Sequence, residues 1–229
     1  MGPRPSAQSL QSEMRPGELE CLLKTIQISG LNGRFLEIGT AAGGTLCQMM
    51  LSFDDASRPQ FVVLDPMRYF ADQIGAVKSN LTAHGLPADT VEFKIGQTAD
   101  ELPKAVAAKE TYDFIFIDGN HKIGYVTRDL GWGQLLNVGG LLCLHDYDNG
   151  TRGVQIPTNR FKRRHRNYEV LARAGSLLIL RKTAVSSGAE VTTLDHSLAK
   201  FIAPMLQLEI SLRKRLRKRA ARRNAGSGV

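Results

Sequence analysis

A loop of small residues follows the first buried apolar run of the chain. The run over residues 35–38 carries the acid Glu37 and stops at Gly39, and Thr40, Ala41 and Gly43 continue the loop. Such a loop lets a ligand lie directly against the backbone, with the N-terminus of the next predicted helix pointing at it. The pattern predicts a binding site for a nucleoside-like cofactor.

The glycine spacing and a second acid narrow the identity of that cofactor. The dinucleotide fingerprint is GxGxxG, with an acid about 20 residues further on. Here position 41 is alanine, so the GxG pattern is absent, and Asp65 ends the second predicted strand 26 residues after Gly39. A carboxylate there can accept hydrogen bonds from both ribose hydroxyls of an adenosine cofactor. The sequence therefore argues against a nicotinamide dinucleotide.

Polar residues also follow two later apolar runs. Asp118 and His121 come after residues 112–117, and His145 and Asp146 come after residues 141–144. In a doubly wound sheet, ligands bind beyond the carboxyl ends of the strands. We therefore expect the polar residues at all strand ends to meet on one rim of the sheet. They are Glu37, Gly39, Asp65, residues 96–98, residues 118–121 and residues 145–148.

Strand and helix patterns alternate through the first two thirds of the chain. The predicted strands cover residues 35–38, 60–64, 91–95, 112–117 and 141–144. The predicted helices cover residues 18–29, 45–53, 70–84, 99–108 and 125–136, and Gly85 is suited to cap the third of them. Strands at 168–172 and 176–181 predict an antiparallel hairpin at the sheet edge. The fold class is α/β: a doubly wound, Rossmann-like, mostly parallel seven-stranded sheet with an antiparallel C-terminal hairpin.

The composition excludes several classes of protein. Hydrophobic residues make up 42% of the 229 residues, and no apolar run is long enough to span a membrane. The Pro- and Ser-rich N-terminus has no apolar core segment, so a secretory signal is not expected. Cys21, Cys47 and Cys143 are widely spaced among apolar neighbours, which predicts buried free thiols and favours a reducing cytoplasm.

Over about residues 33–182 the chain resembles the class I S-adenosylmethionine-dependent methyltransferases. The segments that carry the resemblance are residues 37–45, 63–65, 112–121 and 135–147. The last two are similar to the subgroup that contains small-molecule and sugar O-methyltransferases. The resemblance implies a methyltransferase domain, which we place at residues 18–183. Composition and pattern predict a flexible lead-in at residues 1–17, a linker at 184–195 and a basic amphipathic helix or tail at 196–229.

The resemblance also implies roles for the strand-end residues. Glu37 and the loop of Gly39, Thr40, Ala41 and Gly43 would face the methionine portion of the cofactor. Asp65 would bind the ribose hydroxyls, Gln97 and Thr98 would lie near the adenine, and Asp118 would reach the amino group of the cofactor. The activity it implies is methyl transfer to a hydroxyl of a small molecule, with a sugar or glycan precursor as a plausible acceptor.

Methyl transfer to a hydroxyl requires that the hydroxyl lose its proton. His121 is the best-placed general base, because an unperturbed imidazole has a pKa near 6.5. Asp118 and Asp146 could take part by sharing a divalent cation such as Mg²⁺. His145 is expected to orient a neighbouring acid or to pack on the cofactor.

The metal-dependent sugar O-methyltransferases carry acids at the positions of Asp118, Asp146 and residue 147. This chain has Tyr147 there, a poor Mg²⁺ ligand, so either Asp148 substitutes or the metal is weak or absent. Two further alternatives stay open. One is an iron-dependent hydroxylase-like enzyme on the same fold, and the other is a non-catalytic adenosyl-binding or scaffold protein that works through its tail.

The C-terminal segment holds almost all of the net charge of +8. Residues 201–229 carry eight Lys/Arg and one acid, and a stripe of apolar residues precedes the basic run. This pattern suits docking on the domain, pairing in a homodimer, or attachment to an anionic membrane surface. Nucleic-acid contact is not expected, because no aromatic residues alternate with the charges. The predicted localisation is cytoplasmic, with membrane-peripheral attachment left open.

Overall fold

A seven-stranded sheet runs through the centre of the protein. The computed structural model describes residues 12–148 and 150–226, with side chains up to Glu209 and at Ser211. The strands are β1 Phe35–Ile38, β2 Phe61–Asp65, β3 Glu92–Ile95, β4 Tyr112–Ile117, β5 Leu136–Leu144, β6 Tyr168–Ala174 and β7 Leu177–Lys182. Their order is β3-β2-β1-β4-β5-β7-β6. Strands β1 to β5 are parallel, and β7 pairs antiparallel with β5 and β6. The predicted fold class is confirmed.

Helices cover both faces of this sheet. They are α1 Pro16–Ile28, α2 Gly44–Leu51, α3 Gln73–Ala83, α4 Thr98–Ala107, α5 Ile123–Asp129, α6 Arg152–Arg164 and α7 Thr193–Gly226. Helices α1 to α3 pack on one face, in an apolar cluster that includes Leu22 and Leu46. Helices α4 to α6 pack on the other face, where the cluster includes Val126 and Phe161. The sheet is therefore buried between two layers of helices.

The central strands send alternate side chains into these two clusters. Along β4, Phe114 and Phe116 belong to the first cluster, whereas Ile115 and Ile117 belong to the second. This follows from the two-residue repeat of a strand. Because both faces are covered, every one of these side chains is buried, and the strand is a continuous apolar run in the sequence.

The predicted helix over residues 125–136 is wrong in its second half. Helix α5 ends at Asp129, a 3₁₀ helix continues to Leu135, and β5 begins directly after it. A Cβ on Gly133 would lie 2.8 Å from the Tyr168 hydroxyl. The glycine lets this turn lie against the edge hairpin, and apolar periodicity carries no signal of that tertiary contact. Strands β1 and β4 have the predicted bounds, the other predicted elements are present with shifted ends, and Gly85 follows α3 with a φ of +71°.

Described parts of the predicted lead-in and of the predicted linker pack against the domain. The predicted lead-in falls partly on residues 1–11, outside the described residues, but Met14 is buried in the core. In the predicted linker, Glu190 is buried and accepts a 2.8 Å hydrogen bond from the Tyr168 hydroxyl. Helix α7 begins at Thr193 and runs through Pro204 without the break that proline suggests.

Two compositional predictions also have structural outcomes. The three cysteines are free; Cys47 and Cys143 are buried, as predicted, whereas Cys21 is only partly buried. Within the described ranges, no helix combines the length and the apolar character that a membrane span requires.

Candidate active site

The carboxyl ends of the parallel strands open into a cleft of about 720 Å³. The loops after β1, β2, β3, β4 and β5 form its walls, as expected for a doubly wound sheet. All predicted site residues except one line it: Glu37, Gly39, Thr40, Ala41, Asp65, Gln97, Thr98, Asp118, His121 and Asp146. The exception is Gly43, which faces Val77 of α3, where a Cβ would meet a methyl group at 3.0 Å.

The loop after β1 is shaped by a close contact between two backbones. Gly39 has a φ of +86°, and a Cβ there would lie 2.5 Å from the Cα of Gly119 in the loop after β4. On the other side of the loop, Gln73 of α3 donates a 3.0 Å hydrogen bond to the carbonyl of Ala41. Residue 39 must lack a side chain so that the two loops can meet, and their backbone atoms then form the bottom of the cleft.

Glu37 is a buried carboxyl group at this floor. It is only 1% exposed, and its Oε2 has no hydrogen-bond partner among the described residues. Burial, together with the nearby carboxylates of Asp118 and Asp65, raises the pKa of Glu37 to about 8. A cationic group bound in the cleft would offset both the burial and the like charges. Glu37 is therefore an acceptor that suits an ammonium group of a ligand.

Asp65 is held in place by two backbone donors. Its Oδ2 accepts the N–H of Thr40 at 3.1 Å, and its Oδ1 accepts the N–H of Met67 at 2.7 Å. An ionised carboxylate offers about four lone-pair positions, so both oxygens keep capacity for a ligand. The contacts fix the carboxylate at the carboxyl end of β2, where it can accept two further hydroxyl hydrogens.

Thr98 lines the cleft, and its hydroxyl is paired with side chains of the protein. That hydroxyl donates to Asp129 at 2.5 Å and accepts the indole N–H of Trp132 at 3.1 Å. Burial raises the pKa of Asp129, which also lines the cleft, to about 7. The role of Asp129 has no signal in the sequence, because nothing in an amphipathic helix pattern distinguishes it from a solvated acid. Gln97 lies exposed at the rim.

His121 lies between two carboxylates on the acceptor side of the cleft. Its Nδ1 is 3.0 Å from Oδ2 of Asp146, and its Nε2 is 3.6 Å from Oδ1 of Asp118. Nε2 has no hydrogen-bond partner within the described part of the chain. Interaction with Asp118 raises the pKa of His121 above its usual 6.5, although burial opposes the shift. Asp146 thus orients the ring, and Nε2 is a buried nitrogen that faces the Asp118 carboxylate.

His145 lies between the same Asp118 carboxylate and that of Glu18. Its Nδ1 lies 3.1 Å from Oδ1 of Asp118, and its Nε2 lies 3.2 Å from Oε2 of Glu18 in α1. Burial alone would lower the pKa of His145, but the hydrogen bonds to Asp118 and Glu18 and the charges of Asp118 and Asp146 raise it to about 9. The ring therefore fixes the Asp118 carboxylate beside His121.

Glu18 is the residue of this network that sequence reasoning did not find. It is 2% exposed, and its Oε1 accepts both the N–H and the hydroxyl of Ser176, at 2.6 and 2.9 Å. Its Oε2 accepts the N–H of Arg15 at 3.0 Å, besides the contact with His145. One carboxylate thus joins α1, the turn of the edge hairpin and the floor of the cleft.

The side chains of Asp118, His145 and Asp146, as they are arranged in the cleft, do not form a suitable Mg²⁺ site. Asp118, His145 and Asp146 each place one potential ligand atom within 4.8 Å of the others. Mg²⁺ prefers oxygen ligands, however, and both nitrogens of His145 already contact carboxylates. The hydroxyl of Tyr147 points away and donates to Asn159 at 2.7 Å. Asp148 is exposed and does not line the cleft.

Substitution of Glu18 by glutamine is expected to destabilise the fold by about 3 kcal/mol at neutral pH. Burial would raise the pKa of Glu18, but the hydrogen bonds from Ser176, Arg15 and His145 outweigh it and lower that pKa to about 2. A lowered folded-state pKa contributes stability that is present above the unfolded value of 4.5 and is lost as the pH falls toward 2.

Urea denaturation of both proteins across that pH range measures the difference. The free energies of unfolding should differ most at neutral pH and converge as the solution becomes acidic. Glu20→Gln, on the exposed side of the same helix, is the matched control and should change little. Equal losses for the two variants would contradict the role given to Glu18.

The part of the chain that forms most of the cleft matches a family of known proteins. A family model described as a methyltransferase domain matches residues 36–147, which run from β1 through β5 and include the loops that line the cleft. Helix α1, with Glu18, lies outside the matched span. A search of curated proteins gave no significant match.

Solved structures share the fold at low sequence identity. A Staphylococcus aureus protein provisionally assigned as a caffeoyl-CoA O-methyltransferase is 17% identical, with a TM-score of 0.61 over 79% of this chain and 93% of its own. An O-methyltransferase from Bacillus cereus in complex with SAH is 20% identical, with a TM-score of 0.59 over 78% and 84%. CalS11, a TDP-rhamnose 3'-O-methyltransferase of calicheamicin biosynthesis, is 16% identical, with a TM-score of 0.58 over 70% and 77%.

Proposed function

We propose that this chain is a class I S-adenosylmethionine-dependent methyltransferase that methylates a hydroxyl group of a small molecule, because a methyltransferase-domain model matches residues 36–147. The observation that carries this proposal is His121 in the cleft, oriented by Asp146 and with Nε2 unpaired among the described residues. A sugar or glycan precursor is the acceptor class that we favour. No observation favours the hydroxylase-like or scaffold alternatives.

The residues of the cleft fit S-adenosylmethionine. The unpaired buried Oε2 of Glu37 suits the amino group of the cofactor, and the side-chain-free surface at Gly39 leaves room for its methionine portion. Asp65, fixed by the Thr40 and Met67 amides, would accept the ribose hydroxyls. Gln97 at the rim would lie near the adenine. When bound, the cofactor supplies a methyl group on a positively charged sulfur.

On the acceptor side, His121 would act as the general base. Nε2 would take the hydroxyl proton while the acceptor oxygen forms its bond to the methyl carbon and the bond from that carbon to sulfur breaks. Asp146 holds the Nδ1 side of the ring at 3.0 Å, so the ring keeps its orientation as it gains charge. Positioned bases of this kind contribute about 10²–10⁴-fold to rates, and alignment of the two reactants adds to this.

The preference for a sugar-type acceptor has weaker support than the methyl transfer itself. CalS11, which acts on TDP-rhamnose, shares the fold, but likeness at that identity concerns the fold alone. The cleft offers polar groups suited to a hydroxylated acceptor: Asn120 and Asp146 line it beside His121. We further propose that the reaction proceeds without Mg²⁺, because the histidines occupy the carboxylates that would hold the ion.

Titration calorimetry with S-adenosylhomocysteine tests the cofactor site. Asp65→Ala is expected to weaken binding by about tenfold or more, because it removes hydrogen bonds to a charged acceptor that are worth about 1.5–3 kcal/mol each. Asp89→Ala, at an exposed aspartate outside the cleft, is the control and should bind as the wild type does. Failure of the wild-type protein to bind at millimolar ligand would refute the cofactor assignment. Equal affinities of Asp65→Ala and wild type would refute the ribose role.

A screen of sugars and phenols with labelled cofactor tests the acceptor class. We expect label in a hydroxylated sugar-type acceptor, and we expect the rate to be the same with EDTA as with added Mg²⁺. Loss of the reaction in EDTA, restored by Mg²⁺, would refute the metal-free proposal while leaving the methyl transfer intact. Label found only on nitrogen or carbon acceptors would refute the hydroxyl assignment.

A further inference from the structure

The C-terminal helix α7 has one face that is fixed to the domain. Ala199 and Leu206 are buried in a small apolar cluster with Ile123 of α5. Asp195 is buried and pairs with Arg160 of α6 at 2.5 Å. The first half of α7 is therefore part of the folded domain, and its orientation is set by these contacts.

The opposite face of the same segment is an exposed apolar stripe. Leu194, Phe201, Met205 and Leu208 are 59%, 75%, 65% and 62% exposed, and their spacing places them along one side of the helix. Single exposed apolar residues need no explanation, but a contiguous set on one side of an element marks an interaction surface. We call these four residues the outer stripe.

The helix continues past the domain as a cationic segment. Residues 213–223 contain eight Lys/Arg and no acid, and α7 extends to Gly226. A segment of this composition carries a charge of +8 and favours an anionic partner over an apolar one.

A second copy of the chain is a poor occupant for the outer stripe. Parallel pairing would place the two cationic segments side by side. In antiparallel pairing only the outer stripe would be covered. The helix segment from Leu194 to Leu208 is about 21 Å long and about 10 Å wide. Its footprint is on the order of 200 Å², whereas a stable interface buries roughly 800 Å² per partner.

The contacts of α7 also place it beside the acceptor side of the cleft. Arg152, at the start of α6, is 2.8 Å from Glu209 of α7. A Cβ on the next residue, Gly153, would lie 2.1 Å from the carbonyl oxygen of His121. The cationic segment therefore leaves the domain near the loop that carries the proposed base.

We propose that α7 attaches the protein to an anionic lipid surface. The outer stripe enters the boundary between headgroups and acyl chains, and the cationic segment binds the negatively charged headgroups. Apolar insertion combined with electrostatic attraction is the binding mode of basic amphipathic helices at membranes. The acceptor side of the cleft then lies next to the lipid surface.

Co-sedimentation of the full chain with vesicles tests this proposal. Binding to mixed phosphatidylcholine–phosphatidylglycerol vesicles should be at least about tenfold tighter than to phosphatidylcholine alone and should weaken in high salt. Phe201→Ser should weaken binding roughly tenfold or more, because it removes a fully inserted aromatic side chain. Val185→Ser removes an apolar side chain that is 80% exposed and lies outside α7, and it should bind as the wild type does.

Three outcomes would overturn the proposal. The first is equal binding to neutral and anionic vesicles, or none to either, by protein whose circular dichroism shows it folded. The second is a stable dimer in ultracentrifugation that Phe201→Ser dissociates. The third is binding to a duplex oligonucleotide, unaffected by Phe201→Ser, without vesicle binding, which would assign the cationic segment to nucleic acid.

Discussion

Replacement of His121 by alanine is expected to lower the rate of methyl transfer by about 10²–10⁴-fold, the usual contribution of a positioned general base. Affinity for S-adenosylhomocysteine should be unchanged, because the cofactor contacts proposed above lie at Glu37 and Asp65. Steady-state rates with the acceptor found by the screen, and calorimetry with the cofactor product, measure the two effects separately. His84→Ala, at an exposed histidine outside the cleft, is the control. A rate that survives His121→Ala would exclude this residue as the base.

The pH profile of kcat/KM gives a second measure of the same role. The base works in its neutral form, and interaction with Asp118 and the charge of Asp146 raise the pKa of His121 against the effects of burial and of His145. Activity should therefore fall as the pH drops through a value above 6.5. Asp146→Asn removes one of the charges that raise this pKa, so its profile should shift to lower pH. A profile that stays in place would separate His121 from the titrating group.

Replacement of Gly39 by alanine is expected to destabilise the protein by about 3 kcal/mol or more and to abolish measurable cofactor binding. Two costs combine. A non-glycine residue at a φ of +86° is strained by about 1–3 kcal/mol. The added Cβ would also lie 2.5 Å from the Cα of Gly119 and 2.7 Å from the carbonyl oxygen of Asp118. Overpacking of this kind typically costs about 1–3 kcal/mol.

A substitution at a second glycine distinguishes the cost of backbone strain from the cost of steric overlap. Gly139 has almost the same φ, +88°, but its Cβ would point into open space. Gly139→Ala should therefore lose only about 1–2 kcal/mol, the strain of the left-handed conformation, and should keep cofactor binding. Urea denaturation and calorimetry of the two variants test the comparison. Similar losses in both would show that the contact with Gly119 contributes nothing.

The sequence by itself determined the sheet and most of the residues around the cleft. Strands β1 and β4 have the predicted bounds, because a parallel strand covered on both faces is a continuous apolar run that any local window detects. The polar residues at the strand ends could be placed together for a similar reason. Once the strands are known to be parallel, topology brings their carboxyl ends to one edge. The topology therefore predicts that Asp65, Asp118, His121 and Asp146 share one cleft, and all four line it.

Only the tertiary structure decided what these residues contact. Glu18 meets His145 across 127 positions of sequence, Asp129 turns into the cleft, and the loops at Gly39 and Gly119 touch. Each contact depends on how a helix or a hairpin docks on the sheet, and docking is set by the shapes of both surfaces rather than by any local pattern. The same holds for α7. Its apolar stripe is visible in the sequence, but only the packed structure shows that one face is buried and the other is left for a partner.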